Sequence, residues 1–189
     1  QQTCDILFKF PWGFDELWGI AFRKNFDLKT HQQHSKKDLT YFDETTKQKI
    51  LPYVIEPSLG IERLFFAFLI NNYQENSTLK ETRQILSFHP FLSPYKVAVL
   101  PLIKKKHSDK AQEIHQYLSK HFDVCYDETQ SVGKRYRRQD RIGTPFCLTV
   151  DDQTLTHNTV TLRNRDTAQQ QTFSLTEAKQ YIQEKIILK

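Results

Sequence analysis

The sequence predicts an α+β protein in which an antiparallel first part is followed by a mixed-sheet α/β second part. Short strand patterns follow one another in residues 1–60 without helical crossovers, which is typical of antiparallel pairing. Strand and helix patterns alternate in the second half, which indicates right-handed crossovers and some parallel pairing. A segment with two prolines at 88–94 separates the two patterns and predicts a linker. We therefore expect two domains, 1–90 and 91–189.

The first part contains three predicted strands and two predicted helices. The strands are Thr3–Phe10, Glu16–Arg23 and Pro52–Glu56. We expect Pro57 to end the third strand. The polar segment Asp27–Lys37 predicts a short exposed helix, and Ile61–Tyr73 is apolar nearly all round, which predicts a largely buried helix. Residues 74–83 are polar and predict a loop.

The second part contains five predicted strands and three predicted helices. The strands are Lys96–Ile103, Val124–Tyr126, Phe146–Val150, Val160–Arg163 and Gln171–Phe173. Ser108 is expected to cap the first helix, whose apolar stripe is Ala111, Ile114, Leu118 and Phe122. The second helix, Val132–Arg141, is very basic and ends at Gly143. Ser174 and Glu177 have capping-box spacing and open the last helix, with Ala178, Ile182 and Ile186 facing inward.

The composition argues against several classes of protein. No apolar run is long enough to span a membrane, and no signal peptide opens the sequence. The three cysteines lie far apart without a C-x-x-C pair, which disfavours a disulfide framework or a zinc site and fits the cytoplasm. His31 and His34 could share a helix face, but two surface histidines are the simpler interpretation than a metal site. The sequence begins with Gln and contains no Met, so we expect it to be a piece of a longer protein.

The positive charge is confined to the second half. Residues 1–90 carry 11 Lys and Arg against 11 Asp and Glu, so the whole net charge of +5 lies in residues 91–189. Its densest cluster is the basic helix, which predicts a surface for a polyanion such as RNA. A solvated helix face remains the alternative interpretation. The basic residues of the cluster are Lys134, Arg135, Arg137, Arg138 and Arg141.

The stretch from Glu56 to Arg63 is the strongest chemical pattern in the sequence. Glu56 and Ser58 alternate along a strand and therefore point to the same side. Gly60 allows close approach to the backbone, and Arg63 lies in the first turn of the apolar helix, where a guanidinium needs an anion. A surface ion pair with Glu62 or another nearby acid is the alternative for Arg63.

This pattern, Glu-Pro-Ser-x-Gly-x-x-Arg, resembles motif 3 of the glycine-specific class II aminoacyl-tRNA synthetases. The segments from Trp12 to Arg23 and from Phe26 to Leu39 are similar to the family sequence that precedes motif 3. Downstream, the strand beginning at Lys96, the basic helix and the segment Thr159–Asp166 resemble the anticodon-binding domain of the family. The resemblance covers nearly the whole chain in the correct order. It implies the C-terminal part of a class II core followed by an anticodon-binding domain.

The resemblance also implies a function for individual residues. The residues expected to bind ATP are Glu16, Leu17, Gly60, Ile61, Glu62 and Arg63, and Glu16 is also the expected ligand of Mg²⁺. Glycine binding falls to Glu56, Pro57, Ser58, Leu59 and Gly60. Arg63 and Glu56 are the expected catalytic residues, and the five basic residues of the basic helix would bind glycine tRNA. The intact protein would be a homodimer.

Some family features differ or are missing. Trp18 stands where an acid is common, and Lys24 and Asn25 replace a Thr-Asp pair. Motif 1 and motif 2 lie outside this sequence, so we expect the chain alone to be inactive. Two alternatives remain at this point: a non-catalytic nucleic-acid-binding accessory protein derived from a synthetase, and a synthetase for another amino acid.

Overall fold

The computed structural model describes residues 2–77 and 82–188, which form two compact units that divide between Ile70 and Asn71. The first unit is built on a three-stranded antiparallel sheet in the order β1-β2-β5. Its elements are β1 (Gln2–Phe10), β2 (Gly13–Lys24), α1 (Phe26–Ser35), β3 (Tyr41–Asp43), β4 (Gln48–Ile50), β5 (Val54–Leu59) and α2 (Ile61–Asn72). The small β3–β4 hairpin was not expected from the sequence.

Two expectations for the first unit are wrong. Pro57 lies inside β5, paired with Ile20, and does not end the strand. Because β5 is an edge strand, it needs ladder hydrogen bonds on one side only, and a residue without an N–H can be accommodated there. The helix α2 is also less buried than its apolar sequence suggests. Ala67 is its one buried residue among those described, and Phe65 is 62% exposed, so an apolar sequence all round a helix does not by itself predict burial.

The second unit contains a five-stranded mixed sheet in the order β12-β11-β10-β8-β9. The strands β8, β9 and β10 are parallel, and β11 and β12 are antiparallel to their neighbours. The elements are β6 (Tyr73–Ser77), β7 (Thr82–Leu86), β8 (Val97–Pro101), α3 (Lys104–Leu118), β9 (Val124–Tyr126), α4 (Val132–Ile142), β10 (Phe146–Val150), α5 (Asp152–His157), β11 (Thr159–Asn164), β12 (Gln170–Ser174) and α6 (Leu175–Ile186).

Helices cover both faces of this sheet. On one face α3 and α6 pack against the sheet in the main core, where Ile114, Leu148 and Ile182 are almost fully buried. On the other face Tyr136 of α4 packs against Ala98 and Cys147. Ser174 caps α6 through the capping box expected from the sequence. Ser108 does not cap α3, which begins at Lys104, and its hydroxyl donates to the Lys104 carbonyl 2.7 Å away.

The predicted loop at 74–83 is a β-hairpin, β6–β7, although residues 78–81 lie outside the described part of the chain. The strand β7 packs on α4, and Arg83 of β7 forms an ion pair of 2.7 Å with Asp140 of α4. This contact explains why the compact units divide at residue 70 and not at the proline-containing segment. Strand patterns that are mostly polar cannot be told from loops when their partner lies far away in the sequence.

Candidate active-site face and candidate RNA interface

One face of the first sheet carries three polar side chains around a position without a side chain, Gly19, which we call the gap over Gly19. The register places Gly19 of β2 between Asp5 of β1 and Ser58 of β5. A Cβ atom at Gly19 would lie 3.0 Å from a carboxylate oxygen of Glu16, 3.5 Å from the Ser58 hydroxyl and 3.7 Å from an Asp5 carboxylate oxygen. Because this position has no side chain, two carboxylates and a hydroxyl can lie close to the β2 backbone, where even a methyl group would be crowded.

A β-bulge brings Glu16 to this gap. Trp18 pairs with Ile6 and Glu16 pairs with Leu7, so Leu17 is an extra residue on β2. An extra residue shifts the alternation of side chains by one position. Glu16 consequently shares a face with the gap, although it would face away from it in a regular strand. This bulge gives the Glu16–Leu17 pair a structural basis that strand periodicity alone does not reveal.

Glu56 lies on the same sheet, opposite Ala21. Its carboxylate is 3.0 Å from Nε of Arg23, and Nη2 of the same arginine donates to Asp27 at 2.9 Å. Arg23 is thus an additional cation next to the predicted glycine-binding segment. It was not identified from the sequence. Its place near the end of β2 and its alternation with Ala21 would have been the available signals.

Arg63 is held by Asp15 and not by Glu62. Its Nη2 lies 2.7 Å from the Asp15 carboxylate, and its Nη1 donates to the Glu16 carbonyl. The guanidinium stands 5.6 Å from the centre of the Phe10 ring, in cation–π range. The Arg63 hydrogen bond holds the pKa of the Asp15 carboxyl below its usual value. Asp15 is therefore the anion that the sequence required for Arg63 without identifying it.

The other predicted residues of this region lie around the end of β5 and the start of α2. Leu59 pairs with Trp18, while Ile61 is 75% exposed. A Cβ atom at Gly60 would meet the Arg63 side chain only at ordinary contact distance, 3.9 Å, so crowding does not explain this glycine. Among the residues described, no group of three or more His, Cys, Asp or Glu is placed to hold a metal ion.

In the second unit, the five basic residues of α4 fall into different environments. Arg135 is 3% exposed, and its guanidinium donates to the backbone carbonyls of Glu128 at 3.1 Å, Thr129 at 3.2 Å and Gln130 at 2.7 Å, as well as to that of Pro101. Its donors are thus committed to the fold. Arg135 consequently cannot offer them to RNA as the sequence pattern suggested.

The remaining basic residues border a surface hollow. Arg138 is half-exposed and pairs with Asp127 at 2.6 Å, and its neighbours Lys134, Arg137 and Arg141 are exposed. The hollow has a volume of about 280 Å³. We call it the basic hollow. Its lining residues are Gln130, Lys134, Arg137, Arg138 and Arg141.

A buried ion-pair network connects α4 to the strands β7 and β11. The carboxylate of Asp140, which is 1% exposed, forms ion pairs with Arg163 of β11 at 3.0 Å and with Arg83 of β7 at 2.7 Å. The Arg163 guanidinium also stands 4.8 Å from the centre of the Tyr136 ring. A buried carboxylate with two guanidinium partners keeps its charge compensated. The helix is therefore attached to both the sheet and the hairpin.

Residues 96–185 match the family described as "Anticodon binding domain". An anticodon-binding domain is present. It contains α4 and the basic hollow, together with the whole five-stranded sheet.

The similarity extends beyond the anticodon-binding domain into the first unit. The chain is 51% identical to the glycine–tRNA ligase of Clostridium beijerinckii over 184 residues and 51% identical to that of Clostridium tetani over 187 residues. The ligase of Bacillus anthracis is 50% identical over 186 residues. These alignments cover 97% to 98% of this chain and 40% of each relative. The resemblance to the glycine-specific synthetases is confirmed.

A solved structure shares the fold. The RNA-binding domain of threonyl-tRNA synthetase from Cryptosporidium parvum superimposes with a TM-score of 0.72 at 19% identity, covering 99% of this chain and 44% of that one. At this identity the likeness concerns the fold alone, and it confirms the predicted α+β architecture. Within residues 2–77 and 82–188, no helix is long and apolar enough to cross a membrane.

Proposed function

We propose that this chain is the C-terminal part of a glycine–tRNA ligase, which uses ATP to join glycine to its tRNA through glycyl-adenylate. The observation that carries the proposal is the gap over Gly19, which has Glu16, Ser58 and Asp5 at its edge. Its carboxylates suit an ammonium group, and the glycine at position 19 lets them lie close to the β2 backbone. The 51% identity with glycine–tRNA ligases supports this choice of amino acid.

The proposed binding residues follow from this arrangement. Glycine binds at the segment from Glu56 to Gly60, with the Glu56 carboxylate and the Ser58 hydroxyl towards it. ATP binds at Glu16 and Leu17 and along the segment from Gly60 to Arg63. A guanidinium that is held in place before the reaction stabilises developing phosphate charge without reorganising, so Arg63 is the proposed catalytic cation.

Magnesium is proposed to accompany ATP. Mg²⁺ in nucleotide sites is held by one or two carboxylates together with phosphate oxygens and water. Glu16 fits this requirement, and Asp5 stands on the other side of the same gap. When bound, the ion would neutralise phosphate charge, while the protein residues orient the glycine carboxylate towards the α-phosphate.

The proposed tRNA surface is the basic hollow. Lys134, Arg137 and Arg141 are its exposed cations, and Arg138 contributes from its pair with Asp127. Arg135 is proposed to act only as a structural support of this surface. Homodimer formation by the intact protein and its location in the cytoplasm stay predictions.

The purified chain tests whether the missing motifs are essential. Motif 2 supplies an arginine to the α-phosphate in the family, and it lies outside this sequence. We expect the chain alone to show no glycine-dependent exchange of pyrophosphate into ATP, while the intact protein shows it. Exchange by the chain alone at the rate of a full-length ligase would disprove this division of labour.

A further inference from the structure

The basic hollow contains one neutral hydrogen-bonding side chain among its lining residues, Gln130. The other four are cations, which attract phosphates of any RNA sequence. A carboxamide is different, because it can hydrogen-bond with the edge of a base and so distinguish one base from another. The composition of the hollow thus separates residues that provide affinity from the residue that could provide specificity.

The backbone of Gln130 is fixed in an unusual conformation. Its φ angle is +64°, which is uncommon for a residue other than glycine. Its carbonyl accepts a hydrogen bond of 2.7 Å from the buried guanidinium of Arg135. The same guanidinium binds the carbonyls of Glu128 and Thr129, so the whole turn before α4 is held in place. Residues held in sparsely populated conformations are concentrated at functional sites.

The side chain of Gln130 is oriented as well. Nη1 of Arg138 donates to Oε1 of Gln130 at 3.3 Å, and Arg138 is itself held by Asp127. Because arginine has only donors, the amide atom next to it must be the oxygen. The Nε2 amino group of Gln130 is thereby left as the donor that is available at the hollow.

We propose that Gln130 is a specificity-determining residue, which donates a hydrogen bond from Nε2 to the acceptor edge of an anticodon base. Lys134, Arg137 and Arg141 hold the neighbouring phosphates in this arrangement. Arg135 and Arg138 are positioning residues for Gln130. The inference rests on the proposed function of the basic hollow as the tRNA surface, and it adds which side chain reads sequence there.

The test measures binding of this chain to stem-loop RNAs with the anticodon arm of a glycine tRNA. One RNA has the natural anticodon, and three others each have one anticodon base replaced. The protein variants are Gln130→Ala, which removes the amide, and Gln130→Glu, which keeps an oxygen for Arg138 but lacks the amino group. Gln180→Ala on α6 makes the same chemical change outside the hollow and is the control.

We expect the unchanged chain and the control to prefer the natural anticodon by about tenfold at one position or more, the size of one good base contact. In Gln130→Ala that preference disappears at one position, while the dependence of affinity on salt stays as it was, since no phosphate contact is lost. Gln130→Glu loses the same preference. Should Gln130→Ala lower the melting temperature, the glutamate variant decides, because it retains the acceptor.

The result that overturns the inference is full anticodon preference in both Gln130 variants. The double variant Lys134→Ala/Arg141→Ala separates this failure from failure of the proposed surface. If it weakens binding to all four RNAs and flattens the salt dependence, the hollow is the RNA surface and only the role of Gln130 is lost. If it binds all RNAs as before, both the surface and the inference are wrong.

Discussion

At the scale of single residues, the same side chain serves different purposes in this protein, and burial decides which. Arg135 is buried and donates to backbone carbonyls, so it belongs to the fold. Arg138 is half-exposed and orients a turn through Asp127 and Gln130. Arg63 is partly exposed and held by Asp15 at the start of α2. A sequence pattern identifies all three as cations, but it does not show which of them has N–H donors that are not already used within the fold.

The first residue-scale prediction concerns the acidity of Asp15. Because Arg63 lowers the pKa of Asp15 in the folded protein, their interaction is fully present above the ordinary pKa of an aspartate and is lost as the pH falls through the lowered value. In Arg63→Ala the pKa of Asp15 should rise towards its ordinary value. Carboxyl NMR titration measures it directly.

The control for this titration is Arg23→Ala, because Arg23 pairs with Asp27 and Glu56 instead. That variant should leave the pKa of Asp15 where it was. An Asp15 pKa that is the same with and without the Arg63 guanidinium would show that the ion pair is absent in solution.

The second residue-scale prediction concerns the stability of the turn before α4. Replacing Arg135 by alanine leaves several carbonyl groups without their donor, at a cost of about 3 kcal/mol or more in the free energy of unfolding. Lys134→Ala removes an exposed cation from the same helix and should change it by about 0.5 kcal/mol at most. Urea unfolding compares the two variants. Equal effects would mean that Arg135 is exposed in solution.

At the scale of elements, the helices and strands with a clear apolar period could be predicted from the sequence, and the exceptions have physical causes. All five strands of the second sheet were expected close to where they lie. The hairpin β6–β7 was missed because its residues are mostly polar and β7 is supported by α4 from far away in the sequence. Ser108 was wrongly predicted as a cap because the apolar stripe of the helix starts at Ala111. The helix α3 itself begins seven residues earlier, at Lys104.

An element-scale prediction concerns the end of α4. Gly143 has φ +88°, and a Cβ atom there would lie 2.8 Å from the Phe88 ring and 3.0 Å from the Leu86 carbonyl oxygen. Gly143→Ala should therefore lower the free energy of unfolding by about 2 kcal/mol or more, through both strain and contact. Thermal and urea unfolding measure the loss.

Gly133, in the first turn of the same helix, provides the matched control. A Cβ atom at Gly133 would meet nothing within 4 Å. Because alanine is the better helix former, Gly133→Ala should leave stability unchanged or raise it by up to about 1 kcal/mol. If the two substitutions had equal effects, the left-handed end of α4 would be in error.

At the scale of the whole molecule, the charge distribution and the family pattern pointed to the same division of labour. The first half has no net charge and contains the gap over Gly19. The second half has the whole net charge of +5 and contains the basic hollow. The sequence could indicate Glu16, Ser58 and Arg63 as residues of interest. It could not indicate Asp5, Asp15 or Gln130, because their importance depends on a strand register, an ion pair and a turn.

The measurement that tests the central claim most directly is amino-acid-dependent exchange of pyrophosphate into ATP. In the ligase of Clostridium beijerinckii, this chain would replace the matching segment, which is 40% of that protein. We expect exchange that depends on glycine, is not supported by alanine, and is reduced by about a hundredfold or more when Glu56→Gln removes the carboxylate from the amino-acid segment. A folded chimera that exchanges without regard to Glu56, or that responds to alanine as well as to glycine, would contradict the account.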